Sequence, residues 1–173
     1  PGWVDRERLL AADAEPNSWL TSGRDFKQQY YSPSEQINAE NIDRLGLAWQ
    51  YPVTYRGRVQ HGLEATPQVI DGVMYTSGPW GTVYALEAKT GEEIWRYDPA
   101  VDASYLRRGC CGAVNRGVTV WEGQVYVASF DGFLIALDVE TGKEQWKVDT
   151  FVDRKLPYTI TGSPQIAGGK VVI

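Results

Sequence analysis

The feature that most constrains this chain is an internal repeat. Val69–Asp98 aligns without a gap on Val120–Asp149 at an offset of 51, and eleven of those 30 positions are identical. The shared residues include Gly72/Gly123, Tyr75/Tyr126, Ala85/Ala136, Thr90/Thr141, Gly91/Gly142, Glu93/Glu144 and Trp95/Trp146. A third copy opens at Ser163-Pro164-Gln165-Ile166, echoing Thr66-Pro67-Gln68-Val69. Each unit reads as short strands separated by turn residues: Pro67–Ile70, a turn at Asp71-Gly72, Val73–Thr76, a glycine-containing turn at 78–81, Thr82–Glu87, a turn at Lys89-Thr90-Gly91, then Glu93–Tyr97. Four antiparallel strands in about 50 residues is the unit of a β-propeller blade. One blade cannot bury both of its faces, so it needs neighbours of the same kind.

The expected organisation is therefore all-β, a single partial propeller domain over residues 1–173. Residues 1–50 supply N-terminal helices and a first strand, 66–98 the first clear blade, 117–149 the second, and 163–173 the start of a third. Within the first part, Val4–Ala12 is expected to form a short helix with Asp5 as its N-cap. Asn38 is expected to cap a second helix over Ala39–Leu45, ended by Gly46, and Leu47–Tyr51 reads as a strand. Pro1 stands where an initiator Met would, and Gly168–Ile173 stops inside a strand pattern. The chain is thus expected to be a piece of a longer protein.

The segment Ala85–Trp95 recurs as Ala136–Trp146. Its small Ala leaves room for a ring, Thr-Gly makes the turn, and the Trp is expected to close the blade edge against the next blade. Trp95 and Trp146 are read as structural. A net charge of −5 with no basic run argues against a nucleic-acid backbone as partner. The longest apolar run is a few residues, too short for a membrane-spanning helix.

Chemistry concentrates at Arg108–Gly117, which holds the two cysteines of the chain, Cys110 and Cys111, side by side. Consecutive Cα atoms lie about 3.8 Å apart, below the usual disulfide span of roughly 4.4–6.8 Å. A bond between them would be strained and would close almost no loop, so it would be a poor staple. Two readings stand: reduced thiols packed as small hydrophobes, or a rigid sulfur platform at a binding site. Glycine on both sides allows something flat to approach closely, and Arg116 follows five residues after Cys111.

On residue type alone, Glu64 reads as a surface carboxylate and Arg116 as a solvated loop residue. The pair Arg107-Arg108 reads as a solvated edge, and Asn115 as holding its own loop by hydrogen bonds to the backbone. His61 is the single histidine, without visible partners for a metal site or a hydrolytic triad. No Gly-x-Gly-x-x-Gly loop and no Cys-x-x-Cys-His haem attachment sequence is present.

The Ala-x-Asp/Glu-x-x-Thr-Gly-x-x-x-Trp element resembles the tryptophan-docking motif of eight-bladed quinoprotein propellers. With Gly62–Pro67, Cys110-Cys111 and Val114-Asn115-Arg116-Gly117, nearly the whole chain resembles the N-terminal part of the PQQ-dependent alcohol dehydrogenases of the methanol/ethanol type. The resemblance also takes in Trp19, Gln36-Ile37-Asn38 and Leu47-Ala48-Trp49.

That resemblance implies pyrroloquinoline quinone (PQQ) held between a disulfide of adjacent cysteines and a downstream Trp. It implies Ca²⁺ or a lanthanide on the quinone, a downstream Asp as proton acceptor, and cytochrome c or a similar electron acceptor. Haem c in a further C-terminal domain is also possible. A small alcohol is the implied substrate, and a disulfide would suit the periplasm. Carried onto this sequence, Glu64 matches the glutamate at the quinone's polar edge. Cys110 and Cys111 match the stacking disulfide, Arg116 the cofactor-pairing arginine, and Thr161 a threonine whose hydroxyl contacts the cofactor. The implied metal ligands and catalytic Asp would all lie beyond Ile173. The competing readings are a non-catalytic scaffold propeller sharing the blade motif, and a membrane-bound quinoprotein sugar dehydrogenase. Neither accounts for Cys110-Cys111, Glu64 and Arg116 occurring together.

In the full-length native protein, both cysteines are expected to resist alkylation until reduced, as read by mass spectrometry. Labelling of both without reductant would contradict the sulfur platform.

Overall fold

The computed structural model describes residues 2–54, 62–109 and 112–173. Cys110, Cys111 and His61 therefore lie outside the described residues. The chain builds two four-stranded antiparallel sheets and a two-stranded hairpin. The first sheet runs in the order β1 (Gln68–Ile70), β2 (Val73–Ser77), β3 (Val83–Glu87), β4 (Glu93–Tyr97). The second repeats this with β5 (Thr119–Trp121), β6 (Gln124–Ala128), β7 (Phe133–Asp138) and β8 (Glu144–Asp149). β9 (Gln165–Ala167) and β10 (Lys170–Val172) form the hairpin.

The repeat in sequence is a repeat in detail. Both sheets carry a register shift at the same place, between Ala85 and Leu86 and between Ala136 and Leu137. The bulge sets each Trp directly across from its small partner, Trp95 opposite Ala85 and Trp146 opposite Ala136. An Ala at that position leaves room for the indole to turn toward the next sheet.

The sheets are held together by three contacts that recur at successive interfaces. First, a Trp docks on the Thr-Gly turn of the following unit. Trp95 Nε1 donates to the Val139 carbonyl at 3.1 Å, just as Trp49 Nε1 donates to the Ala88 carbonyl at 3.1 Å. The ring lies on the turn glycine: a Cβ on Gly142 would sit 2.6 Å from Trp95, and one on Gly91 2.5 Å from Trp49. Any side chain there would have to displace the ring. Second, the Tyr two residues past each Trp donates to a carboxylate of the next unit, Tyr97 to Glu144 at 2.5 Å and Tyr51 to Glu93. Burial, then the Glu93 carboxylate, pushes the Tyr51 phenol up to about 12, so both bonds keep the phenol proton near neutral pH. Third, the residue opening each first strand bonds the carbonyl just ahead of the next first strand. Gln68 Nε2 donates to Val118 at 2.8 Å and Thr119 Oγ1 to Pro164 at 2.5 Å.

The main core lies between the two sheets and includes Ile70, Tyr75, Val83, Trp95, Val120, Val127, Ile135 and Leu137. The N-terminal segment closes it with Val4, Leu9, Ala12 and Leu20. Helix α1 (Arg6–Leu10) starts where expected, with the Asp5 carboxylate accepting from the Arg8 N–H at 2.8 Å. Arg8 then bridges Glu15 and Asp71, which ties α1 to the β1–β2 turn. Trp19 pairs with Val69 on the free edge of β1.

Two local expectations fail. The segment after Asn38 forms only a single 3₁₀ turn, Ile42–Arg44, with Asn41 at its N-cap position but no capping bond from the Asn41 side chain. Asn38 and Asn41 spend their amides on nearby backbone, offering an alternative to a longer helix. Leu47–Tyr51 is not a strand in this structure: it makes no ladder, and Trp49 and Tyr51 instead reach across to Ala88 and Glu93. Through those contacts it takes the place that β4 takes toward the second sheet, and among the described residues no strand lies paired beside it.

Trp95→Ala in the full-length protein should cost about 3–5 kcal/mol, the range for removing a buried aromatic, read as a lowered thermal unfolding midpoint. An unchanged midpoint would contradict the docking role.

Candidate cofactor site

Three of the five residues marked in the sequence come together. Each lies in the segment leading into the first strand of a unit: Glu64 ahead of β1, Arg116 ahead of β5 and Thr161 ahead of β9. Arg116 stands between the other two. Its Nη2 lies 2.9 Å from Glu64 Oε2, and its Nη1 donates to Thr161 Oγ1 at 2.5 Å. The Arg116 backbone N–H also donates to the Thr161 carbonyl at 3.0 Å. The third strand-to-strand contact of the fold brings these segments side by side.

The Arg116–Glu64 pair is about half exposed, with side-chain exposures of 52% and 41%. An ion pair that wet contributes ~0–1 kcal/mol, so it is a poor reason for the fold to keep it. It is well suited to present charge. A guanidinium has five N–H donors, and the contacts to Glu64 and Thr161 leave others directed at solvent. This donor set of guanidinium, carboxylate and hydroxyl fits a planar anionic ligand that carries carboxylates, carbonyls and a ring N–H.

Cys110-Cys111 are flanked in sequence by two described glycines. Gly109 sits so close to Phe130 that a Cβ would lie 2.6 Å from its ring. On the other flank, Gly112 takes φ +90, a value that favours glycine. Trp80, Val101, Ala113 and Phe130 form one buried apolar seat next to these two glycines, with Trp80 and Phe130 edge to face at 5.5 Å. The Trp80 N–H donates to the Ala113 carbonyl at 2.8 Å. The sequence carries a trace of this seat, since Trp80 departs from the repeat, where its counterpart is Asp131.

Arg108 corrects the solvated-edge expectation. Its Nη1 donates to the Arg154 carbonyl at 2.8 Å, and its guanidinium lies over the Tyr105 ring at 4.6 Å. Arg154 in turn donates to Tyr105 Oη at 3.0 Å and to Asp149 at 2.5 Å. The 3₁₀ turn Ala103–Arg108 is thereby fastened to the loop after β8, a link that residue spacing does not reveal. Arg107 is exposed. Asn115 behaves as expected in holding its loop, and it is buried. Among the described residues, no three His, Cys, Asp or Glu side chains gather as a metal-ligand set. Among them too, no helix is long and apolar enough to cross a membrane.

Comparison with known proteins supplies the family. The PQQ family profile, described as glucose/ethanol/alcohol dehydrogenase, beta-propeller domain, matches residues 19–153. The chain belongs to that family. The quinohemoprotein alcohol dehydrogenase ADH-IIG of Pseudomonas putida is 51% identical over 173 residues, 100% of this chain and 24% of the relative's length. Its solved structure superposes with a TM-score of 0.93 over 99% of this chain and 24% of its own. The quinohemoprotein alcohol dehydrogenase of Comamonas testosteroni matches at a TM-score of 0.88 and 48% identity, over 97% of this chain and 24% of its own. A europium-containing methanol dehydrogenase matches at 0.84 and 34%, over 96% of this chain and 28% of its own. The chain thus spans about a quarter of the length of the relatives it matches, as a partial set of PQQ-family propeller blades.

Proposed function

We propose that the full-length protein is a periplasmic oxidoreductase that oxidises alcohols to aldehydes with bound PQQ and passes electrons to a cytochrome. The observation that carries this reading is Arg116 held between Glu64 and Thr161 at the mouths of three successive units. Membership of the PQQ family and the alcohol dehydrogenase relatives support it.

PQQ, when bound, would supply the sink for the hydride leaving the alcohol carbon. The residues of this chain would bind and orient it. Arg116 would direct its remaining N–H groups at quinone oxygens or cofactor carboxylates. Glu64 would accept from the polar edge while holding Arg116 in place. Thr161 accepts from Arg116, which leaves its own hydroxyl proton to donate. Cys110 and Cys111 would form the flat sulfur surface against the ring system, next to the seat made by Gly109, Gly112 and Phe130. The segment contributes one side of the chamber. The proton-accepting Asp, the metal ligands and the sandwiching Trp would come from the part of the relatives' length that this chain does not span. Ca²⁺ or a lanthanide would polarise the quinone, and the europium-containing relative makes the second choice concrete. Haem c in a further domain would receive the electrons, a reading supported by relatives named quinohemoprotein alcohol dehydrogenases. The oxidising periplasm suits adjacent cysteines joined as a disulfide.

The test is dye-linked oxidation of primary alcohols by the full-length protein, with and without PQQ plus Ca²⁺ or a lanthanide. Activity should appear only with quinone and metal together. Absence of both activity and quinone binding by the folded protein would contradict the proposal and favour a scaffold propeller.

A further inference from the structure

The same register position is filled differently in the three units. Counting five residues back from Val69, Val120 and Ile166 gives Glu64, Asn115 and Thr161. Glu64 and Thr161 turn their side chains to Arg116, whereas Asn115 is buried, with 3% of its surface exposed. Its amide accepts from Ser77 Oγ at 2.6 Å and donates to the Ala128 carbonyl at 2.8 Å. Ser77 and Ala128 are themselves equivalent, the last residues of β2 and β6. Asn115 is therefore wedged between the same point on two neighbouring sheets.

The amide also accepts from the Gly117 N–H at 3.1 Å, which folds residues 115–117 into a turn with Arg116 at its apex. Its orientation is not free: the Gly117 N–H can only donate and the Ala128 carbonyl can only accept. An exposed, rotamer-rich arginine is not positioned by packing. What fixes the base of Arg116 is this turn on one side and the bond of its own N–H to the Thr161 carbonyl on the other.

We propose that Asn115 is a positioning residue for cofactor binding, transmitting the spacing of two sheets to the Arg116 guanidinium. This rests on the reading of Glu64, Arg116 and Thr161 as the PQQ site. The planar amide of Asn supplies at one place both the acceptor for Ser77 and Gly117 and the donor for Ala128. Asp would keep the Gly117 bond but set a carboxylate against the Ala128 carbonyl, and Ala would leave both sheets' groups unsatisfied.

The experiment uses the full-length protein prepared without quinone and titrated with PQQ in the presence of Ca²⁺, following quinone absorption. Asn115→Asp and Asn115→Ala are made on the native and on the Arg116→Ala background. Each should weaken PQQ affinity about tenfold on the native background and by less than about threefold where Arg116 is already gone, the non-additivity of residues acting through one another. The unfolding midpoint of the quinone-free protein should fall equally on both backgrounds. An equal loss of affinity on both backgrounds, or none on either, would overturn the inference by making Asn115 a purely structural tie. If Arg116→Ala weakens binding and the Asn115 variants do not, the inference alone falls. If Arg116→Ala leaves affinity unchanged, the site reading falls with it. Should the Asn115 variants not fold, Ser77→Ala removes only one of the three bonds. It should then lower affinity about threefold on the native background and not at all on the other; no loss on the native background overturns the inference.

Discussion

Everything in this structure depends on an indole lying on a glycine. A four-stranded sheet has two faces to bury, and here the core lies between one sheet and the next. The Trp95 ring on Gly142, with its N–H on the Val139 carbonyl, sets how far and at what angle the second sheet stands from the first. The contact is short because the turn residue has no side chain, and it is directional because the indole has one N–H to satisfy. Its recurrence at Trp49 and Gly91 makes it a rule of assembly, copied once per interface.

The site follows from that rule. Once successive sheets stand at a fixed spacing, the segments entering their first strands lie side by side. Residues far apart in the chain, Glu64, Arg116 and Thr161, then meet. The Gln68 and Thr119 contacts to the carbonyls ahead of the next first strand hold those segments in step. The repeated scaffold thus presents an unrepeated set of side chains. A carboxylate and a hydroxyl sit at two copies of one position, Glu64 and Thr161, and the guanidinium of Arg116 sits one residue past the third, Asn115.

Much of this was legible in the sequence. The offset of 51 gave the strands and turns almost residue for residue, since alternation and turn chemistry are local properties. Glu64, Arg116 and Thr161 could be marked only through family resemblance, because each alone looks like a solvated loop residue. What brings them together is sheet spacing, which no local pattern encodes. Leu47–Tyr51 has the composition of a fourth strand, but among the described residues it pairs with no other strand and keeps only the Trp49 and Tyr51 contacts to the next unit. The Arg108–Arg154 link and the Ser77–Asn115–Ala128 bridge were invisible, being side-chain hydrogen bonds across 46, 38 and 13 residues.

The measurement that bears most directly on this account is a crystal structure of the full-length protein with PQQ bound. The account predicts the quinone against Cys110-Cys111, with Arg116 within hydrogen-bond distance of its oxygens and still paired with Glu64 and Thr161. A quinone bound elsewhere, or one with Arg116 turned away to solvent, would contradict it.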